Sequence, residues 1–179
     1  EAAVERIVTA VRRGGDRALR AYAAKFDGLR VRESLRISES ELQKAWHSAA
    51  PGLRSALTQA AANVRQFCQW QKPKEWRRSR KGVALGVAVR PLQSVGCYVP
   101  SGRHPLASTL LMTAIPAQVA GVQDIRVVSP RPSSEVLAAA GMLGIREFYR
   151  VGGAHAIAAL AYGTKTIGRV EKIVGPGNS

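Results

Sequence analysis

Apolar residues Val4, Ile7, Val8 and Val11 recur at helical spacing, and the Gly14-Gly15 pair behind them predicts a helix end in a left-handed conformation. Asp16 is then expected to cap a second helix, whose Leu19, Tyr22, Ala23 and Phe26 form one apolar stripe before Asp27-Gly28 turns the chain. A short extended piece is expected over residues 29–36. Ser38 and Glu41 have the spacing of a capping box, in which a hydroxyl serves the first turn and a carboxylate reaches back, ahead of Leu42, Ala45 and Trp46. After Pro51-Gly52, the series Leu53, Leu57, Ala60, Ala61, Val64, Phe67 and Cys68 predicts a longer amphipathic helix ended by Pro73.

From Gly82 the pattern changes. Residues 83–89 alternate like a strand and residues 94–99 form a second extended run, followed by a helix over 108–120 with Ser108 as cap, Pro116 as a kink and Gly121 at its exit. Strands over 125–129, 147–151 and 172–174 then alternate with helices over 134–143 and 154–162. Strands separated by helices of about ten residues do not pair as hairpins; a right-handed parallel arrangement satisfies them. The expected class is therefore α/β: an incomplete Rossmann-like, doubly wound parallel sheet preceded by a helical amino-terminal segment. The division expected is residues 1–81, helical and ending in a basic connector, and residues 82–179, the partial α/β domain.

Composition narrows the function classes. The chain has 179 residues, 46% of them apolar and 22% charged, which is ordinary for a globular chain that can build a core. The longest uncharged stretch, between His104 and Asp124, is broken by Pro105, Pro116 and Gln118, so no membrane span is expected. No signal peptide is read at the start. Cys68 and Cys97 lack CxxC spacing, and His47, His104 and His155 have no second histidine at helical spacing, so neither a disulfide framework nor a metal cage within the chain is expected. A reducing cytoplasm fits.

The formal charge is +15, with nineteen basic against eight acidic residues up to Gln93 and eight against four after it. Its densest run, residues 70–81, sets six cations and Trp70 and Trp76 beside the single carboxylate of Glu75. Cations that neutralise phosphates and indoles that stack on bases are the equipment of single-strand binders. A solvated connector explains the same run, and no recognition-helix, zinc-finger or RNA-recognition signature accompanies it, so a nucleic-acid partner is not expected.

In a doubly wound sheet, ligands bind outside the carboxyl ends of the strands. The segments that follow the strands are residues 98–103, 129–132, 152–155 and 175–178. Gly152-Gly153 opens a helix, where free N–H groups and the helix dipole favour an anion such as a phosphate. Gly175 and Gly177 allow close backbone approach, Tyr98 offers a flat ring to a heterocycle, and Asn178 offers both a donor and an acceptor. His155, on the first helical turn, is placed to contact a ligand or to face water. A dinucleotide suits such a rim, although neither GxGxxG nor a P-loop occurs. Asp124, Glu135, Glu147 and Glu171 are the only acids after residue 94, and none is expected at the ligand edge as a general base.

Four ordered stretches carry a family resemblance: residues 89–100 (VRPLQSVGCYVP), 105–117 (PLASTLLMTAIPA), 152–164 (GGAHAIAALAYGT) and 172–178 (KIVGPGN). With Gly15-Asp16-Arg17-Ala18-Leu19 and Phe26-Asp27-Gly28 earlier in the chain, they resemble histidinol dehydrogenases along essentially the whole sequence. The resemblance implies a zinc-dependent homodimeric enzyme that oxidises L-histidinol to L-histidine in two NAD-linked steps. It implies NAD contacts at Tyr98, His155 and Asn178, so that residues 82–179 become a partial NAD-binding domain. Zinc ligands and the Glu-His proton-transfer pair belong to the family's carboxyl part, so no catalytic or metal residue is assigned in this chain and it is expected to be inactive alone. The family has Gln at the position of His155, a second Gly at Ser101 and a small residue at His104.

Overall fold

Four of the strands read from the sequence form in register as one parallel set. In the computed structural model, which describes residues 1–102 and 105–177, β4 (Ser94–Tyr98), β5 (Asp124–Val128), β6 (Glu147–Tyr149) and β7 (Lys172–Val174) pair in parallel. Their order across the sheet is β6-β5-β4-β7. The central strand β4 carries buried Val95 and Cys97 and is covered on both faces, so it reads as an apolar run rather than an alternation. The sheet is mixed rather than wholly parallel, because β1 (Arg36–Ile37) adds antiparallel to β6. The extended piece expected over 29–36 is reduced to that two-residue strand, preceded by a turn at Val31 and Arg32.

Helices α4 (Ala107–Ala120) and α5 (Ser134–Met142) cover one face of the sheet with α2 (Glu39–Ser48) and α3 (Pro51–Gln71), and α6 (Gly153–Tyr162) covers the other with α1 (Ala2–Tyr22). The two faces have separate cores. Leu42, Leu57, Leu110, Ile115, Val127 and Phe148 belong to the first; Val11, Leu19, Val128, Ala159 and Leu160 belong to the second. A side chain such as Leu110 or Leu160, fully removed from water, contributes about 1.5–3 kcal/mol. The amino-terminal helices thus supply part of both cores.

Local signals hold where the interaction is local. Ser38 and Glu41 form the capping box of α2, and Gly121 ends α4 in a left-handed conformation. Two expected caps are corrected. The helix break expected at Gly14-Gly15 forms: α1 is two helical pieces that meet in a kink at Gly15, whose φ is 53°, but Asp16 behind it accepts from the Thr166 N–H and hydroxyl instead of capping the second piece. Helix α4 starts at Ala107, so Ser108 lies inside its first turn and is not the cap. The strand expected over 83–89 forms as β3 (Val83–Val87), which pairs antiparallel with β2 (Trp76–Arg80) in a ribbon of its own, turning at Lys81-Gly82. The basic run read as a connector is therefore half strand, and all ten ribbon residues are exposed. Among the described residues no helix is long and apolar enough to cross a membrane.

Candidate functional site

The chain leaves β4 toward α4 on one face, whereas β7, on the other side of β4, is reached from α6 on the opposite face. Between the carboxyl ends of β4 and β7 the connections therefore diverge, and this is the crevice where open α/β sheets take ligands. Tyr98, the last residue of β4, stands at that point, half-buried. Its hydroxyl accepts from the Gly153 N–H at 3.3 Å, tying the end of β4 to the start of α6. Gly175, which follows β7, has φ 146°, and a Cβ there would lie 2.4 Å from the Tyr98 carbonyl oxygen, so only glycine lets the exit of β7 pass so close.

Helix α6 has no side-chain cap. The Gly152 and Gly153 N–H groups at its start are taken by the Asp27 carboxylate and the Tyr98 hydroxyl, while the positive end of its dipole faces the crevice. The turn is held from behind. Pro130, after β5, packs on Gly152 so tightly that a Cβ on Gly152 would come within 2.4 Å of the proline ring.

His155 is neither on the lip nor in water. It is 2% exposed, and its Nε2 lies 2.7 Å from Oδ2 of Asp27, itself buried. The same Asp27 oxygen accepts the Gly152 N–H at 2.9 Å. The imidazole lies beside Tyr22 and Phe26, with ring centroids 6.0 and 6.1 Å away. The sequence marks Asp27 only as a turn residue. Its structural partners are 125 and 128 residues away, so no local pattern announces them, and the one sequence hint is its place in the Phe26-Asp27-Gly28 part of the resemblance. Asn178 lies outside the described residues. Of the three residues expected on the rim, the structure thus brings Tyr98 to the crevice and puts His155 beneath the adjoining turn.

A cavity of about 250 Å³ continues the crevice from the end of β4 to the end of β5, lined by Pro100, Gly102, Ser129, Arg131, Pro132 and Ser133. Arg131 is exposed, has φ 45° and makes no hydrogen bond or ion pair with another described residue. A larger cleft of about 660 Å³ opens at the opposite, amino edge of the sheet. Within it Arg126 pairs with Asp124, Arg36 pairs with Glu147, and the Tyr149 hydroxyl donates to Glu147. Burial, reinforced by that carboxylate, pushes the Tyr149 phenol well above its ordinary range. The acids after residue 94 follow the same placement: Asp124, Glu147 and Glu171 sit at the amino ends of strands or just before them, and Glu135 is on α5. Among the described residues no group of three His, Cys, Asp or Glu side chains is arranged to hold a metal.

Comparison with known proteins agrees along the whole length. The family model described as histidinol dehydrogenase matches residues 1–179. The histidinol dehydrogenase of Methanothermobacter thermautotrophicus is 49% identical over 179 residues, which cover 96% of this chain and 42% of that protein. That of Listeria innocua is 47% identical, covering 98% of this chain and 42% of the relative. A crystal structure of histidinol dehydrogenase from Elizabethkingia anophelis matches with a TM-score of 0.91 at 33% identity, over 99% of this chain and 42% of that one. The chain spans about two-fifths of the length of these relatives.

Proposed function

The chain belongs to the histidinol dehydrogenase family, and we propose that it forms the dinucleotide-binding part of an NAD-linked dehydrogenase that oxidises L-histidinol to L-histidine in histidine biosynthesis. The observation that carries this reading is the crevice between β4 and β7, where the Tyr98 hydroxyl meets the uncapped start of α6. NAD, when bound, supplies the acceptor for the hydride removed at each of the two oxidations.

The chain's own part is to hold and orient. Tyr98 offers its ring to a heterocycle, and the hydrogen bond from Gly153 fixes that ring's direction. The start of α6 after Gly152-Gly153 presents the positive end of a helix dipole to a phosphate. Asp27 and His155, beneath that turn, fix its backbone by accepting the Gly152 N–H and filling the space under it. In this reading His155 acts by positioning where the family's Gln is a contact, and Asn178 completes the rim.

Zinc belongs to the same reading, but the described residues offer no ligand set for it. Its ligands and the proton-transfer pair are assigned to the carboxyl part of the family's chain, and with them the chemistry, the homodimer and a cytoplasmic setting. The test has two readouts on the 179-residue chain. With L-histidinol, NAD+ and zinc, NADH absorbance is expected to stay flat. In calorimetric titration NAD+ is expected to bind, and Tyr98→Ala to weaken it by about three- to tenfold, the worth of one aromatic contact. Turnover by the chain alone, or NAD+ affinity untouched by Tyr98→Ala, overturns the assignment.

A further inference from the structure

Resting on the dinucleotide reading of the crevice, we propose that Arg131 is the side chain that takes the pyrophosphate of the bound NAD. A dinucleotide laid across the crevice brings a doubly charged anion to the carboxyl edge of the sheet, where most donors are committed. The Gly152 and Gly153 N–H groups go to the Asp27 carboxylate and the Tyr98 hydroxyl, so the start of α6 meets a phosphate with its dipole and without those two donors. A dipole alone is a modest, salt-screened attraction. Arg150, after β6, is engaged by Glu33 and Glu41. The guanidinium of Arg131, in the loop after β5, is exposed and has no partner among the described residues.

The backbone holds this arginine beside the helix start. Arg131 stands between Pro130 and Pro132 at φ 45°, a left-handed conformation that a residue with a Cβ adopts at a cost, and the proline rings restrict the chain on both sides. Pro130 packs on Gly152, so the loop that carries Arg131 and the turn that opens α6 are in direct contact. Arg131 also lines the cavity that runs from the end of β4 to the end of β5, with Pro100, Gly102 and Ser129, and its donors therefore border the way out of the crevice on the β5 side. The carboxylates within its neighbourhood are occupied. Glu33 and Glu41, which share a second small cavity with Arg131, hold Arg150, and Asp27 holds Gly152 and His155. A planar fork of donors binds two phosphate oxygens at once, whereas a nucleoside without phosphate gains nothing comparable from it.

Calorimetric titration of the 179-residue chain with NAD+, ADP and adenosine tests this, because ADP keeps the pyrophosphate without the nicotinamide half and adenosine has neither. In the parent chain ADP is expected to outbind adenosine. Arg131→Asn, whose side chain tolerates positive φ, is expected to weaken NAD+ and ADP about tenfold, the worth of one charge-assisted hydrogen bond, and so to remove most of the advantage of ADP over adenosine with an unchanged melting temperature. Arg131→Lys keeps the charge but not the fork and is expected to fall between the two. Added salt is expected to weaken NAD+ more steeply in the parent than in Arg131→Asn. NAD+ and ADP affinities that stay within about twofold in Arg131→Asn overturn the proposal. So does a parent chain that binds adenosine as tightly as ADP. In either case a loss of NAD+ affinity in Tyr98→Ala leaves the crevice reading standing, whereas binding of none of the three ligands overturns both.

Discussion

Replacing Asp27 by alanine removes the one side chain that joins the Asp27-Gly28 turn to the start of α6. Two groups lose their partner at once: the Gly152 N–H, 2.9 Å from the carboxylate, and the His155 ring nitrogen, 2.7 Å from it. Both lie in the interior, where water cannot replace the lost partner without a cavity opening. Each stranded buried group costs about 1–3 kcal/mol, so the pair is expected to cost roughly 2–5 kcal/mol. Against a total of about 5–15 kcal/mol that is a large share, and at about 2–4 °C per kcal/mol for a chain of this size it lowers the melting temperature by roughly 5–15 °C. Urea unfolding followed by circular dichroism measures it. A double-mutant cycle with His155→Leu isolates the pair, and a coupling of at least about 1 kcal/mol is expected for groups in direct contact. His155→Gln is expected to cost less than His155→Leu, because the amide can still donate to Asp27. A loss below about 0.5 kcal/mol for Asp27→Ala, the range of an ordinary surface change, refutes the reasoning.

Gly141→Ala is expected to destabilise by about 1–3 kcal/mol, the range for overpacking, because a Cβ there would lie 2.2 Å from the Leu42 carbonyl oxygen and force α2 away from α5; denaturant midpoints measure it. Acid unfolding should show the carboxylates held below their ordinary range. Glu41 is lowered by the Ser38 N–H and hydroxyl and then by Arg150, and Asp16 is lowered because its bonds with Thr164 and Thr166 outweigh burial, which acts the other way. Depressed folded values mean that this stabilisation is complete above the ordinary values of 4.5 and 3.8 and is lost as pH falls through the folded ones. Glu41→Gln is expected to flatten the slope of stability against pH below about 4.5, by less than about 1 kcal/mol because the group is largely exposed; an unchanged slope counts against the assignment.

The parts of the fold legible in the sequence are those that short-range physics decides. A capping box needs only residues 38 and 41, and a left-handed helix exit needs only Gly121, so both form where the pattern puts them. The alternation of strands and helices after residue 94 likewise dictates parallel pairing, because intervening helices forbid hairpins. Misreadings arise where a local signal meets a distant partner. Gly15 breaks the helix where the pattern puts the break, yet Asp16 behind it does not cap the next piece, because it is drawn to Thr166 across 150 residues of sequence. The ribbon of β2 and β3 was divided for a different reason: its basic, solvated strand has no apolar alternation to mark it, and only its partner reads as extended.

The same distinction governs the candidate site. Tyr98 and the glycines after β6 and β7 were legible because topology alone carries the carboxyl ends of parallel strands to one edge. What topology does not fix is where a side chain turns at that edge. A histidine on the first turn of α6 has two directions open to it, outward to the crevice or down against α1. The second is taken because Asp27, Tyr22 and Phe26 from the first 27 residues supply a carboxylate and an aromatic bed for the ring. A buried carboxylate bonded to both a backbone N–H and an imidazole is costly to leave half-satisfied, so the three groups hold or fail together. The amino-terminal helices are therefore part of the site's construction: they set the position of the turn that the proposed dinucleotide meets, without reaching the ligand themselves.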